Sequence, residues 1–213
     1  MQSNQEGNAS LFNAIKNIDL RKYDSLVLGP GIGIDNHDWK KVEDYLIGFE
    51  GLLILDADAL NRISESKLGT KFFLERKFQT WITPHNKEFF RLFPHIKSET
   101  NVGLALKAAE EFNISVLFKG ANSIVADNKK AWQLYGTDSQ TARAGLGDLL
   151  SGFVAGSSAI DLTFCKDIKT EFFAKYVLLH SFAASKCKTG SNAFAIGDEL
   201  SKLMRKRKMR QIS

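Results

Sequence analysis

Apolar residues along the chain gather into short unbroken runs, and between these runs they recur at helical spacing. Tyr23-Asp24-Ser25-Leu26-Val27-Leu28 predicts a buried strand that ends in Gly29-Pro30-Gly31-Ile32-Gly33. From Asp38 to Phe49, Trp39, Val42, Tyr45 and Leu46 fall on one helix face. Gly51-Leu52-Leu53-Ile54-Leu55 is a second apolar strand, stopped by Asp56-Ala57-Asp58, and Phe78-Gln79-Thr80-Trp81-Ile82 a third, ended by Thr83-Pro84-His85. A helix from Ser98 to Phe112 carries Val102, Leu106 and Ala109 along one face, before a fourth strand, Ile114 to Phe118, that runs into Lys119-Gly120. Ser123–Ala126 and Ala131–Leu134 flank Asp127-Asn128-Lys129-Lys130 and read as a hairpin. Two helices, Gly147 to Ala159 and Thr170 to Lys188, close the chain. Strands that are apolar throughout and alternate with helices predict an α/β fold, a mostly parallel sheet with helices on both faces.

The polar punctuation falls in one place. Gly29–Gly33, Asp56–Asn61, Thr83–Glu88 and Lys119–Ser123 each follow the carboxyl end of a predicted strand. In open α/β sheets that edge carries the binding crevice. A fifth segment, Ala142-Arg143-Ala144-Gly145-Leu146-Gly147-Asp148, runs directly into apolar Leu149-Leu150. Its two glycines permit a tight turn, and the N–H groups of Gly145, Leu146 and Gly147 then open a helix, a natural anion hole. Asp148 beside such a hole suits a base that takes a proton from an attacking hydroxyl. The plainer alternative is a turn followed by a capping carboxylate. His180, on the face of Phe173, Tyr176, Val177 and Ala184, reads as a packed core histidine.

Composition narrows the class. A chain of 213 residues suits one domain, 1–213, with no apolar run approaching a membrane span and a polar Met1–Ser10 without a signal-peptide core. Cys165 and Cys187 match no metal or redox spacing, which points to reduced thiols in a cytoplasmic protein. The net charge of +5 comes from the end of the chain. Lys202, Arg205, Lys206, Arg207, Lys208 and Arg210 stand without an acid among them, and the body is near neutral without them. A basic tail over 202–213 reads as a solvated, frayed end, and no aromatics interleave its charges as nucleic-acid binding would favour.

Gly29-Pro30-Gly31-Ile32-Gly33, Leu55-Asp56-Ala57-Asp58-Ala59-Leu60-Asn61, Thr83-Pro84-His85 with Glu88, Phe118-Lys119-Gly120-Ala121 and Gly145-Leu146-Gly147-Asp148 resemble, in order, the motifs of the ADP/ATP-dependent NAD(P)H-hydrate dehydratases. That family is a branch of the ribokinase-like fold, and the likeness runs from about Tyr23 to Leu200. The resemblance implies cofactor repair: ADP or ATP, with Mg²⁺, phosphorylates the hydroxyl of hydrated NADH or NADPH, and loss of phosphate restores the nicotinamide double bond. It implies that Gly33, His85 and Asp148 contact the hydrated dinucleotide, with Asp148 as the base. Lys119, Gly120, Ala121, Asn122 and Ser123 would hold the nucleotide, with Gly147 beside it, and a homotetramer is common in the family. Lys119 would bring a flexible cation to phosphate oxygens. Glu88 would orient Mg²⁺ through water, or simply be a favourable charge at a helix start. His85 would bond the substrate, or cap a helix from Asn86 to Leu92. Asp56 and Asp58 read as turn and N-cap residues.

The chain departs from the family pattern in two ways. The family usually has Thr-Gly-Gly-Thr/Ser-Gly-Asp where this chain has Arg143-Ala144-Gly145-Leu146-Gly147-Asp148. Leu146 thereby lacks a hydroxyl, and Arg143 adds a cation near the phosphate. The family domain also begins well before the point that matches Met1, so the expectation is an N-terminally truncated ribokinase-like domain. Two other functions compete: a small-molecule kinase of the same fold, and a non-catalytic nucleotide-binding remnant.

Overall fold

Four apolar runs pair side by side and form the parallel heart of a single sheet. The computed structural model describes residues 11–34, 37–135, 145–188 and 191–210, with the side chains of 206–210 excepted. Strands β1 (Ser25–Leu28), β2 (Leu52–Leu55), β3 (Thr80–Ile82) and β4 (Ser115–Phe118) run parallel, and β5 (Ile124–Ala126) and β6 (Ala131–Gln133) complete the order β1-β2-β3-β4-β5-β6 as an antiparallel hairpin. Register is set by pairs such as Val27 with Ile54, Ile54 with Trp81 and Trp81 with Ser115. The predicted α/β architecture and the hairpin are both present, with strand ends trimmed by one or two residues.

Each central strand buries both faces, which explains the absence of polar alternation. Leu53, Leu55, Ile82, Val116 and Phe118 face one core, packed by helices α2 (Trp39–Ile47), α3 (Ala57–Glu65), α5 (Asn86–Leu92) and α6 (Asn101–Phe112). Leu52, Ile54, Trp81, Leu117 and Val125 face the other, closed by α7 (Leu146–Leu162) and α8 (Thr170–Lys186). There the indole of Trp81 stacks on Phe173, ring centres 4.5 Å apart.

Three readings need correction. Helix α6 buries Leu104, Ala105, Ala108, Ala109 and Phe112, so Val102 and Leu106 sit at the rim of its face. Small alanines at that face let the helix lie close on the sheet, and they weigh little in an apolar count. The amphipathic α3 and the short α4 (Lys71–Glu75) were not predicted. Nor do two helices close the chain. A third, α9 (Ala193–Arg210), follows them and docks Ile196 and Leu200 against α8, with Leu203 beside them. The basic segment therefore begins on a helix whose apolar residues at i and i+4 are buried and at i+7 half-buried, with Lys202 paired to Glu199 at 2.6 Å. Among the described residues no helix is long and apolar enough to cross a membrane.

His180 lies on the inner face of α8 as expected, 8% exposed, and its Nε2 has no hydrogen-bond partner. Burial lowers its pKa from 6.5 to about 4. The unfolded chain therefore takes up a proton at a higher pH than the native one, and stability is lost as pH falls from the ordinary histidine range toward 4. The slope should cost about 2 kcal/mol between roughly pH 7 and roughly pH 5. Replacing His180 by leucine is expected to remove that loss and leave stability near neutral pH equal or higher, because no buried nitrogen is left unpaired. Denaturant titrations at the two pH values check this, and an identical pH dependence in parent and variant would contradict it.

Candidate active site

The carboxyl ends of the four parallel strands are laced together past the strands themselves. Asp56 N–H donates to Leu28 O at 3.1 Å, Thr83 N–H to Leu55 O at 3.0 Å and Lys119 N–H to Pro84 O at 2.9 Å. His85 and Lys119 form a further parallel bridge. Four of the five polar clusters thus line one sheet edge. Gly29 permits the closest approach there: its φ is +137°, and a Cβ would stand 1.7 Å from Asp56 O. No side chain fits that position without moving the β2 end.

Asp56 is the hub of the edge. It is 1% exposed, caps α3 by accepting from Ala57 N–H at 2.8 Å, and accepts from Lys119 Nζ at 2.7 Å and Ser151 Oγ at 2.6 Å. Buried carboxylates persist only when paired in this way. Ala57 takes a left-handed φ of 46°, a backbone strain of order 1 kcal/mol for an L-residue that the cap holds in place. The single Ser151 hydroxyl proton is shared with Gly147 O, 2.9 Å from the same Oγ, which fastens the first turn of α7 to Asp56. A Cβ on Gly147 would lie 3.7 Å from Asp56 Oδ2 and 3.9 Å from Lys119 Nζ, so the fifth motif joins the other four.

Helix α7 starts from Gly145 in the left-handed conformation, φ +81°, with no side-chain cap. The first-turn N–H groups have no partner within the helix, and Gly147 in that turn stands close to the Lys119 ammonium, so the helix dipole adds to the positive potential there. Asp148 is exposed in the same turn, and among the described residues its carboxylate has no hydrogen-bond partner. Gly120, Ala121 and Asn122 are exposed in the turn between β4 and β5, which Ser123 braces by donating from Oγ to Gly120 O at 3.3 Å. Arg143 and Ala144 lie outside the described residues.

His85 and Glu88 form a reciprocal capping box at the start of α5. Glu88 N–H donates to His85 Nδ1 at 3.1 Å and His85 N–H to Glu88 Oε2 at 2.8 Å. The acceptor role of Nδ1 places the ring proton on Nε2, 3.4 Å from Glu88 Oε1. His85 nevertheless keeps half its side chain in solvent beside Lys119, whereas Glu88 is 6% exposed.

Gly33 is joined to this group through α3. Its N–H donates to Asp58 Oδ2 at 2.9 Å, and its carbonyl accepts from Arg62 Nε at 2.7 Å. The side chains that sequence reasoning missed are Asp56 as a partner of Lys119, Ser151, and Asp58 with Arg62 as holders of the glycine loop. Asp56 and Asp58 carried a signal, carboxylates directly after an apolar strand; Ser151 and Arg62 carried none.

Two concavities of the described surface lie away from the Lys119–Asp56 pair. One of about 450 Å³, lined by Lys77, Trp81, Asn113, Lys129, Asp167 and Thr170, sits at the amino ends of β3 and β4. Another of about 470 Å³ runs between α7 and α9 with Asp148 at its rim. Lys119, Asp56 and Gly147 mark a candidate site better than cavity size does, because these groups lie together and carry complementary chemistry.

The fold is that of the ribokinase-like proteins. The structure superposes on a ribokinase-like superfamily protein from Enterococcus faecalis with a TM-score of 0.72 at 22% identity, over 88% of this chain and 64% of that one. It superposes on an ADP/ATP-dependent NAD(P)H-hydrate dehydratase from Bacillus subtilis, co-crystallized with ATP/Mg²⁺, with a TM-score of 0.67 at 20% identity, over 86% of this chain and 66% of that one. A family model described as NAD(P)H-hydrate dehydratase matches residues 4–205, and the chain belongs to that family. The bifunctional NAD(P)H-hydrate repair enzyme Nnr of Synechocystis is 34% identical over 141 residues, 66% of this chain and 26% of that protein. Its counterpart in Thermofilum pendens is 26% identical over 211 residues, 96% of this chain and 40% of that protein. The chain therefore spans about a quarter to two-fifths of these relatives' length.

Proposed function

We propose that this chain catalyses the ADP- or ATP-dependent dehydration of hydrated NADH and NADPH. The observation that carries the reading is the juxtaposition of Lys119 Nζ with Gly147 at the start of α7, one residue before Asp148, whose carboxylate has no partner among the described residues. Family membership supplies the substrate class.

In this reading the nucleotide's terminal phosphates meet Lys119 and the first-turn N–H groups of Gly145, Leu146 and Gly147, with the Gly120–Ser123 turn beside the nucleotide. Asp148 takes the proton of the substrate hydroxyl as its oxygen attacks the terminal phosphorus. The bond from phosphorus to the leaving nucleotide breaks, and its oxygen keeps the electron pair. Phosphate then leaves the ring carbon with its bonding pair, and a proton lost from the neighbouring carbon restores the double bond. Fixed donors around the transferred group stabilise the charge that develops on it. His85, half in solvent beside Lys119, and the Gly33 loop hold the dinucleotide.

The donor set suits a magnesium ion that arrives on the nucleotide. Among the described residues no group of three or more His, Cys, Asp and Glu side chains forms a metal cage. Mg²⁺ in phosphate-transfer sites is bound largely by phosphates and water with one or two carboxylates. It neutralises phosphate charge there. Glu88, already engaged in the capping box, would meet it only through water.

The test is to incubate the chain with hydrated NADH, Mg²⁺ and either nucleotide. Reduced-nicotinamide absorbance should return only when nucleotide is present. A stable phosphorylated product would favour a small-molecule kinase, and nucleotide affinity without either product a binding remnant; both results contradict the proposal.

A further inference from the structure

The Gly29–Ile34 loop has little internal support. Gly31 and Gly33 have φ of +68° and +73°, and among the described residues a single long backbone bond, from Ile32 N–H to Gly29 O at 3.3 Å, closes within the loop. What shapes it is α3. Asp58 Oδ2 accepts from Gly33 N–H at 2.9 Å, while Arg62 donates from Nε to Gly33 O at 2.7 Å and from Nη2 to Ile32 O at 2.6 Å. Asp58 and Arg62 stand four residues apart and so share one helix face. Arg62 is 1% exposed, and its guanidinium lies 5.2 Å from the Trp39 ring centre. Trp39 is itself fixed by donating from Nε1 to Glu43 Oε1 at 3.0 Å. The loop is thus gripped from one side by a fork whose back rests on α2.

The same helix begins at Asp56, which holds Lys119 and Ser151. One rigid element therefore carries the phosphate end of the site at its first residue and the glycine loop on its first two turns. We infer that Asp58 and Arg62 are positioning residues for the hydrated dinucleotide. They hold the Gly33 loop at a set distance from the phosphate-transfer turn. The one backbone N–H of Gly33 is consumed by this grip and its carbonyl is held by Arg62, so Gly33 meets the dinucleotide by shape, through the missing Cβ, and not by a free N–H. The inference rests on the reading of the site as a hydrated-dinucleotide dehydratase.

Its consequence is a split between the two ligands. Loosening the grip should weaken dinucleotide binding and leave the Lys119 end as it was. Asp58→Ala is expected to raise the KM for hydrated NADH about tenfold, with kcat and the KM for ADP within about twofold of the parent. Asp58→Asn keeps an acceptor oxygen for Gly33 N–H and should restore the parent KM. Arg62→Lys keeps the buried cation but not the fork, and should fall between. Unfolding midpoints measured alongside separate stability from positioning. A lowered midpoint with an unchanged KM for hydrated NADH would overturn the inference. So would a parallel loss of both ligands, or an Asp58→Asn variant no better than Asp58→Ala. A parent chain that binds ADP but neither binds nor turns over hydrated NADH would fail the functional reading itself, and the inference with it.

Discussion

Asp148→Asn should abolish dehydration while leaving the fold and nucleotide affinity nearly intact. Asparagine keeps the shape and one hydrogen-bonding oxygen but cannot accept the substrate proton, and general-base assistance is worth roughly 10²–10⁴-fold in rate. The structure makes this a clean substitution. Asp148 is exposed in the first turn of α7, and among the described residues no partner would be stranded by losing its charge. The loss of a favourable carboxylate at a helix start costs about 0.3–1 kcal/mol. Steady-state rates with hydrated NADH, together with calorimetric ADP titrations, check both halves. A variant that turns over at near the parent rate would remove Asp148 from the base role and leave it as an ordinary first-turn charge.

Lys119→Met should lower ADP affinity about ten- to hundredfold, the worth of a charge-assisted phosphate contact. It should also destabilise the protein, because it strips the cation from Asp56, whose side chain is 2% exposed. Breaking a buried pair by removing one partner costs about 3 kcal/mol at the low end. The low end applies because Lys119 keeps 25% of its side chain in solvent, and Ala57 N–H and Ser151 Oγ still bond the carboxylate. The two effects come apart in the double variant Lys119→Met with Asp56→Asn. It should recover most of the stability and none of the nucleotide affinity. Unchanged calorimetric ADP affinity in the single variant would take Lys119 out of the phosphate site.

The sheet was readable because its strands are short, apolar on both faces and ended by Gly, Pro or Asp, signals that survive without tertiary context. Helix α9 was missed because Lys202, Arg205 and the residues after it dominate the segment, while Ile196, Leu200 and Leu203 are thinly spaced among them. Helix α3 was hidden for a related reason: Arg62 counts as a polar residue in any pattern, yet it is one of the most buried side chains. At the site, the five clusters could be placed on one edge from strand order alone. Their pairwise bonds could not. That Asp56 binds Lys119 and Ser151, 63 and 95 positions away, is a property of the folded edge and not of any local motif. His85 shows the reverse case: a cap on the Asn86–Leu92 helix was one of the two roles its position after Pro84 offered, and the structure contains that cap.

The most direct measurement is a crystal structure of the chain with ADP and Mg²⁺ bound. The account predicts phosphate oxygens within about 3 Å of Lys119 Nζ and of the N–H groups of the Gly145–Gly147 turn, with Asp148 facing the terminal phosphorus. Phosphates seated elsewhere, such as among Lys77, Lys129 and Lys169 at the opposite edge of the sheet, would contradict it.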